Sequence, residues 1–167
     1  GHVRIYKINE VINDNSVTAT YLNNLDSNTS TIIDASNVTT ISGEFSEVST
    51  AYSSSGISGL ENETIVLTGT TTVLEANQID ALTTGIITAT ISEDDINTLK
   101  AITKTGSSSS EYGHEYSITI ATADVTAAEL NTVNSATLID VTATAVKSIT
   151  GAFDDLKTIY TSAKFMI

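Results

Sequence analysis

The sequence contains no cysteine and no proline among its 167 residues. The absence of cysteine excludes disulfide bonds, thiolate metal sites and cysteine nucleophiles. The absence of proline fits a chain of regular elements joined by Gly, Ser and Asn turns. Positive charge is also scarce, because 7 Lys plus Arg oppose 20 Asp plus Glu and leave a net charge of −13. So few cations cannot form the basic surface that binds nucleic-acid phosphates or an anionic bilayer.

The sequence also lacks a long hydrophobic run. A transmembrane helix needs roughly 18 or more consecutive apolar residues, so we expect no insertion into a membrane. Hydrophobic residues nevertheless make up 40% of the chain, which indicates a packed core rather than a disordered tail. The sequence begins at Gly1 rather than at Met, and we expect a processed product or an excised fragment.

A long segment of the sequence recurs. Residues 41–54 read ISGEFSEVSTAYSS, and residues 149–162, which lie 108 positions later, read ITGAFDDLKTIYTS. Ile, Gly, Phe, Tyr and the final Ser match in register, and the flanking residues 17–23 and 125–131 also correspond. A self-match of this length predicts an internal repeat, which is the sequence signature of stacked architectures.

Stretches rich in Thr, Ile and Val, which favour extended structure, alternate with predicted helices. They lie at residues 31–41, 64–72, 85–91, 115–121 and 138–149, and residues 1–12 form a similar preceding stretch. This alternation predicts right-handed crossovers and a parallel sheet. A doubly wound sheet is an alternative, but rungs of about 27 residues leave little room for its helices.

We therefore predict a single α/β solenoid domain over residues 1–167, with a stacked parallel β-sheet on one side and short helices on the other. The 108-residue repeat would hold about four strand–helix rungs. Residues 163–167 diverge from the repeat.

A short motif marks several predicted helices. The motif is four residues long: an aliphatic residue, then Asn or Asp, then any residue, then a second aliphatic residue. It occurs at residues 22–25, 79–82, 96–99 and 130–133. The polar member of this motif is Asn23, Asp80, Asn97 or Asn131. We expect these side chains to bond backbone groups at an equivalent corner of each coil, rather than to bind a ligand.

Capping residues predict where further helices begin. The two helices that contain the repeated Phe are expected to start near Ser42 and Thr150, whose hydroxyls can accept free amides. Ser92 is a clearer cap, because three carboxylates follow it and complement the positive end of a helix.

The aromatic residues of the repeat are expected to fill the space between the sheet and the helices. They are Phe45, Tyr52, Phe153 and Tyr160. On this interpretation they belong to the core and do not form a platform for a ligand.

Residues that could catalyse a reaction are few. The chain has two histidines, His2 and His114, and a nucleophile triad needs a histidine beside a Ser and an orienting carboxylate. His114 ends a Gly- and Ser-rich loop at residues 103–114, but no strained nucleophile turn accompanies it. No pair of acidic residues is singled out for glycosidase chemistry. We therefore expect no catalytic residue and no enzyme; the remaining alternative is a hydrolase that acts through carboxylates or His114.

We also expect no cofactor and no dedicated metal site. The EF-hand loop and the Gly-Gly-x-Gly-x-Asp nonapeptide are absent from the sequence, although both are common sources of calcium ligands. The alternative is calcium bound at the carboxylate pairs that begin predicted helices, residues 94–95 and 154–155.

Three phrases of the sequence resemble a known class of repeats. They are VTTISG at residues 38–43, AYSSSGISGL at 51–60 and DALTTGIITATIS at 80–92. They resemble the Thr/Ala-rich tandem repeats of very large haemolysin-type or adhesin-like cell-surface proteins of marine cyanobacteria and other marine bacteria. The resemblance spans roughly residues 17 to 162 and carries no catalytic residues. It implies an exported structural or adhesive module.

The repeat, the acidic Thr- and Ser-rich surface and the few reactive residues predict an extracellular structural module. It would be a spacer in a large surface or adhesion protein, or a filament subunit in which residues 1–12 meet the 165–167 end of another copy. The alternative is a module that binds glycan or calcium through the sheet face or the 103–114 loop. Expected partners are neighbouring repeats, copies of the chain end to end, or a cell-surface glycan, and neither nucleic acid nor membrane.

Overall fold

The computed structural model describes residues 9–105, 113–162 and 164–167. Most of the predicted strand at residues 1–12, the middle of the 103–114 loop and His2 lie outside these residues. The described helices are α1 (Ala19–Asn28), α2 (Phe45–Ser53), α3 (Val73–Asp80), α4 (Ile96–Leu99), α5 (Ala127–Ala136) and α6 (Phe153–Thr161). The described strands are β1 (Glu10–Val11), β2 (Ser16–Thr18), β3 (Ile33–Asp34), β4 (Thr40–Gly43), β5 (Ile57–Ser58), β6 (Thr64–Thr71), β7 (Ile87–Ile91), β8 (Glu115–Thr119), β9 (Asp124–Thr126), β10 (Val141–Thr142), β11 (Ser148–Thr150) and β12 (Phe165–Met166).

The strands form parallel sheets. Seven of them make one sheet in the order β2-β4-β6-β7-β8-β10-β12, which is also their order along the chain. A second sheet has the order β1-β3-β5, and β9 pairs with β11. All the pairings described are parallel. The α/β class and the parallel sheet predicted from the sequence are therefore confirmed.

Buried aliphatic side chains line up across the large sheet. Val17, Ile41, Ile65 and Ile87 are register partners in four successive strands, and none is more than 8% exposed. Alternate residues of these strands point to the opposite face, as the two-residue period of a strand requires. Full burial of one such side chain contributes roughly 1.5–3 kcal/mol, so this row fixes the register of the strands.

The helices cover the sheet with small and branched side chains. Ala19 and Leu22 of α1 are fully buried, and so are Ala127 and Leu130 of α5. Small residues let a short helix approach the sheet closely, while the leucines fill the space beside them. The elements also recur with the sequence match, since α5 begins at the residue that corresponds to the start of α1, and α6 at the residue that corresponds to the start of α2.

Two of the predicted strands are each interrupted by a turn. The stretch at residues 31–41 contains β3 and the start of β4, and the stretch at 138–149 contains β10 and most of β11. In the first turn the amide of Val38 donates to the carbonyl of Ala35, and in the second the amide of Val146 donates to the carbonyl of Ala143. Neither turn contains Gly or Pro. The first follows Asp34 and includes Ser36 and Asn37, which favour turns, whereas residues 143–146 of the second are Ala, Thr and Val and give no such signal.

The predicted caps of three helices were wrong. Ser42 lies in β4 and Thr150 lies in β11, and their helices begin slightly later in the chain, after Glu44 and Ala152. The cap of α4 is Asp95 rather than Ser92, since its carboxylate accepts the amides of Asn97 and Thr98. A carboxylate at this position satisfies free amides and also complements the helix dipole.

Two of the four repeated aromatic side chains are not in the core. Phe45 and Tyr52 are partly buried against it, as predicted. Phe153 and Tyr160, which hold the same places in α6, are 78% and 77% exposed. The prediction was wrong for this pair because no described element covers the outer side of α6.

Candidate functional site

The most concentrated set of interacting polar groups in the described residues surrounds Asp80, the last residue of α3. Asp80 is only 2% exposed. Its carboxylate accepts hydrogen bonds from Nε2 of His114 at 2.8 Å, from Oγ1 of Thr103 at 2.6 Å and from the amide of Thr105 at 2.8 Å. We call these four residues the Asp80 cluster. The described ends of the 103–114 loop are therefore both anchored to one buried carboxylate.

His114 is held within this cluster on every side. It is fully buried, and its Nδ1 accepts the amide of Ile87 at 3.0 Å. Nδ1 is therefore an acceptor, which leaves Nε2 to carry the proton and donate it to Asp80. Its backbone donates to the carbonyl of Ala136 and accepts the amide of Leu138. Both ring nitrogens are engaged inside the protein, so this histidine offers no free nitrogen to a substrate.

The hydrogen bonds to Asp80 decide its charge. Burial by itself would raise the pKa of this carboxyl group, since a low-dielectric environment disfavours the ionised form. The hydrogen bonds from His114, Thr103 and Thr105 outweigh burial and hold the pKa below its ordinary value of 3.8. Asp80 is thus an ionised carboxylate whose role is to gather donors from two other segments of the chain, residues 103–105 and His114.

The lowered pKa of Asp80 predicts a loss of stability in acid. The contribution of Asp80 to the free energy of unfolding is fully present above pH 3.8, the ordinary pKa of this side chain. It is lost as the pH falls through the lower pKa of the folded protein. We expect the free energy of unfolding, measured with urea at a series of pH values, to fall more steeply below pH 3.8 in the wild type than in Asp80→Asn. Hydrogen bonds also lower the pKa values of Asp34, Asp95 and Glu129. Both proteins share these groups, so parallel pH curves would contradict the role given to Asp80.

Tyr116 lies beside the Asp80 cluster, and its hydroxyl group is buried. Its ring centroid is 4.8 Å from that of His114, and the residue is fully buried. The hydroxyl oxygen finds no hydrogen-bond partner among the described residues. Burial raises the pKa of Tyr116, and the negative charge of Asp80 raises it further. A neutral buried hydroxyl without a partner costs free energy.

Removal of that hydroxyl should stabilise the protein. We expect Tyr116→Phe to raise the free energy of unfolding by about 1 kcal/mol, because the unpaired group no longer has to be desolvated. The matched control is Tyr52→Phe, since the hydroxyl of Tyr52 donates to the buried carboxylate of Glu63 at 2.5 Å. The control should lower stability by about 1 kcal/mol, and a fall in both variants would contradict the assignment.

Three asparagines link successive segments of the chain. The side-chain amides of Asn23, Asn77 and Asn131 donate to the carbonyls of Glu47, Ala101 and Asp155, at 3.0, 2.9 and 3.1 Å. Each bond spans 24 residues. We call these three bonds the asparagine ladder. Two of these bonds join a helix to the next helix, and the third joins α3 to Ala101, just after α4.

The ladder corrects the predicted row of polar residues. Asn23 and Asn131 bond backbone groups as predicted, but they do so from helices and not from corners of the chain. Asp80 belongs to the Asp80 cluster, and Asn97 accepts a hydrogen bond from Lys100. The third member is Asn77, which the aliphatic motif did not select.

A signal for Asn77 exists in the sequence. Thr18, Thr72 and Thr126 cap α1, α3 and α5, and each stands five residues before a ladder asparagine. Both sets of residues recur every 54 positions. This spacing is half of the 108-residue match and aligns the three helices by their caps.

The carboxylate pairs proposed for calcium have structural roles. Asp95 caps α4, and Asp154 and Asp155 lie in the first turn of α6, where negative charge complements the helix dipole. In residues 9–105, 113–162 and 164–167, no group of three or more His, Asp or Glu side chains is placed to hold a metal ion.

The helices of the described segments are too short or too polar to cross a bilayer. Comparisons with protein-family models, with curated proteins and with solved structures find no match to this chain.

Proposed function

We propose that the chain is a structural repeat module: a short α/β solenoid that serves as a spacer in a large extracellular surface or adhesion protein. The observation that carries this proposal is the strand order of the large sheet, which follows the order along the chain with parallel pairing throughout the described strands. In a solenoid each coil, here one passage through sheet and helix, contacts only the coils before and after it.

The register supports coils of similar length. Ser16 pairs with Thr40, and Thr40 pairs with Thr64, so these two steps are 24 residues, the span of each bond in the asparagine ladder. The step from β6 to β7 is 20–22 residues and the step from β7 to β8 is 27 residues. The helices follow the same rule, because α1 packs against α2, α2 against α3, and α5 against α6. A doubly wound sheet would instead bring strands distant in sequence side by side.

Several features favour a structural role outside the cell. The net charge of −13 keeps an exposed protein soluble, and the resemblance to surface-protein repeats points the same way. The polar groups with the clearest geometry are committed to the fold: the Asp80 cluster anchors a loop, and the asparagine ladder connects coils. Neither arrangement leaves its donors open to a ligand.

Excision of whole coils tests the architecture. Deletion of residues 18–71 joins Val17 to Thr72 and removes one full interval between successive threonine caps. In a solenoid the remaining coils stay in register, so we expect a shorter protein that unfolds cooperatively with an unchanged circular dichroism per residue. The matched control deletes residues 18–77, which also takes away the cap and the ladder asparagine of α3. An unfolded product from the first deletion would contradict the proposal.

A ligand screen tests the structural role against the binding alternative. We expect calcium and a panel of glycans to leave the melting temperature unchanged, since a ligand that binds only the folded state raises it. A glycan that raises the melting temperature would replace the spacer with a glycan-binding module. A rise with calcium that Asp95→Asn abolishes would place a cation at the start of α4.

A further inference from the structure

The outer side of α6 corresponds to the outer side of α2, but it is exposed where the surface of α2 is covered by other elements. Val48 of α2 is fully buried, whereas Leu156, its counterpart in α6, is partly exposed. Phe153 and Tyr160 are mostly exposed, while their counterparts in α2 pack against the core. We call Phe153, Leu156, Tyr160 and Phe165 the C-terminal end face.

The structure shows what covers this surface at α2. Helix α3 and strand β6 pack on its outer side, and the hydroxyl of Tyr52 reaches Glu63 in the segment before β6. Glu63 is fully buried, and Tyr52 is partly buried. By analogy, the C-terminal end face could bind a coil like the one formed by β6 and α3.

The other end of the molecule carries a coil of that kind. Helix α1 has the same threonine cap and the same ladder asparagine as α3. Leu25 of α1 is only partly buried, whereas Ile79 and Val133, which stand seven residues after their caps as Leu25 does, are fully buried. Nearby Tyr21 and Val11 are 47% and 52% exposed. We call Val11, Tyr21 and Leu25 the N-terminal end face.

The charges of the two ends are complementary. The last coil, residues 143–167, carries Lys147, Lys157 and Lys164, which outnumber its acidic residues, Asp154 and Asp155. Residues 1–28 carry Glu10, Asp14 and Asp26, which outnumber the cations of that segment, Arg4 and Lys7. Opposite charges at two surfaces speed their encounter and disfavour contacts between like ends.

From these observations we propose that the C-terminal end face binds the N-terminal end face of a second copy of this chain, so that copies join head to tail, as successive modules of one surface protein or as separate molecules. This interface rests on the solenoid proposed above, because it continues the coil order from one molecule into the next. An interface of this type is heterologous and does not close on itself, and it generates a linear assembly.

Charge substitutions at each end test the interface. Sedimentation velocity over a range of concentrations should show growing assemblies for the wild type. Phe153→Glu/Tyr160→Glu and Val11→Glu/Tyr21→Glu should each raise the dissociation constant at least about 100-fold, because a buried charge at the centre of an interface has no partner. The matched control is Leu74→Glu on α3, where the leucine is 68% exposed; this variant should assemble like the wild type.

Mixing the two end variants tests the head-to-tail orientation. Each variant keeps one intact end, so an equimolar mixture should form dimers and nothing larger, while each variant alone stays monomeric. Monomeric wild-type protein at all concentrations, or a mixture that stays monomeric, would overturn the interface. A variant altered at one end that still forms dimers alone would overturn the orientation. The coil-excision experiment does not depend on assembly, so a failed interface and a failed solenoid are distinguishable.

Discussion

Replacement of Asp80 with alanine is expected to lower the free energy of unfolding by about 3–5 kcal/mol, which is the usual cost of removing one partner from a buried charged network. The substitution would leave Nε2 of His114 and the amide of Thr105 without their acceptor in the interior. An unsatisfied buried donor costs about 1–3 kcal/mol, and the lost side-chain volume adds a cavity. Urea unfolding at neutral pH measures the effect.

The control for this substitution is Asp140→Ala. Asp140 is an exposed aspartate, and surface substitutions of this type usually change stability by less than about 0.5 kcal/mol. Asp80→Asn should fall between the two, since an amide keeps the volume and part of the accepting capacity. Equal effects of Asp80→Ala and Asp140→Ala would show that the Asp80 cluster does not stabilise the fold.

Gly85→Ala is expected to destabilise the protein by about 3 kcal/mol, at the upper end of overpacking effects. A Cβ atom at Gly85 would overlap the backbone carbonyl of Glu63 and lie 2.8 Å from the carbonyl oxygen of Asn62. The obstacle is backbone, which cannot rotate away as a side chain can. Thermal and urea unfolding measure the effect.

Gly69→Ala is the matched control for crowding. Gly69 has φ of 73°, but a Cβ atom there meets nothing within 4 Å. The strain of an alanine in this left-handed conformation costs about 1 kcal/mol. If Gly69→Ala lowers the free energy of unfolding more than Gly85→Ala does, then backbone conformation, and not the close approach of two backbone segments, explains the need for glycine.

The sequence was most informative about the continuous strands of the large sheet. The predicted stretches 64–72, 85–91 and 115–121 contain β6, β7 and β8, because alternation of Ile with Thr or Ser marks a half-buried strand. The turns that divide β3 from β4 and β10 from β11 could not be predicted in this way. Their residues are mainly Thr, Ala, Ser, Asn and Val, most of which also occur in the strands.

The Asp80 cluster was not predictable from local pattern. His114 and Asp80 are 34 residues apart, and no spacing rule joins an aspartate at a helix end to a histidine before a strand. The sequence marked both residues, one in the aliphatic motif and one after the Ser-rich loop, but it did not place them together. Their contact depends on the register steps from β6 to β7 and from β7 to β8, which are 20–22 and 27 residues.

The aromatic residues of the repeat show a different limit. Phe45 and Phe153 occupy matching places in matching segments, yet only Phe45 packs against the core. Local sequence is similar in the two copies, and the difference comes from the elements that follow, since α3 and β6 pack against α2. Burial therefore depends on which elements come next in the fold, and a local motif does not contain that information.

The asparagine ladder has a consequence for how such a molecule would respond to tension. Its bonds join α1 to α2 and α5 to α6, and the parallel strands of the large sheet pair with one another in the same sequential order. A pull across the sheet would therefore load the ladder and the strand pairs together. The chain would extend at a given step only after both sets of bonds at that step had broken.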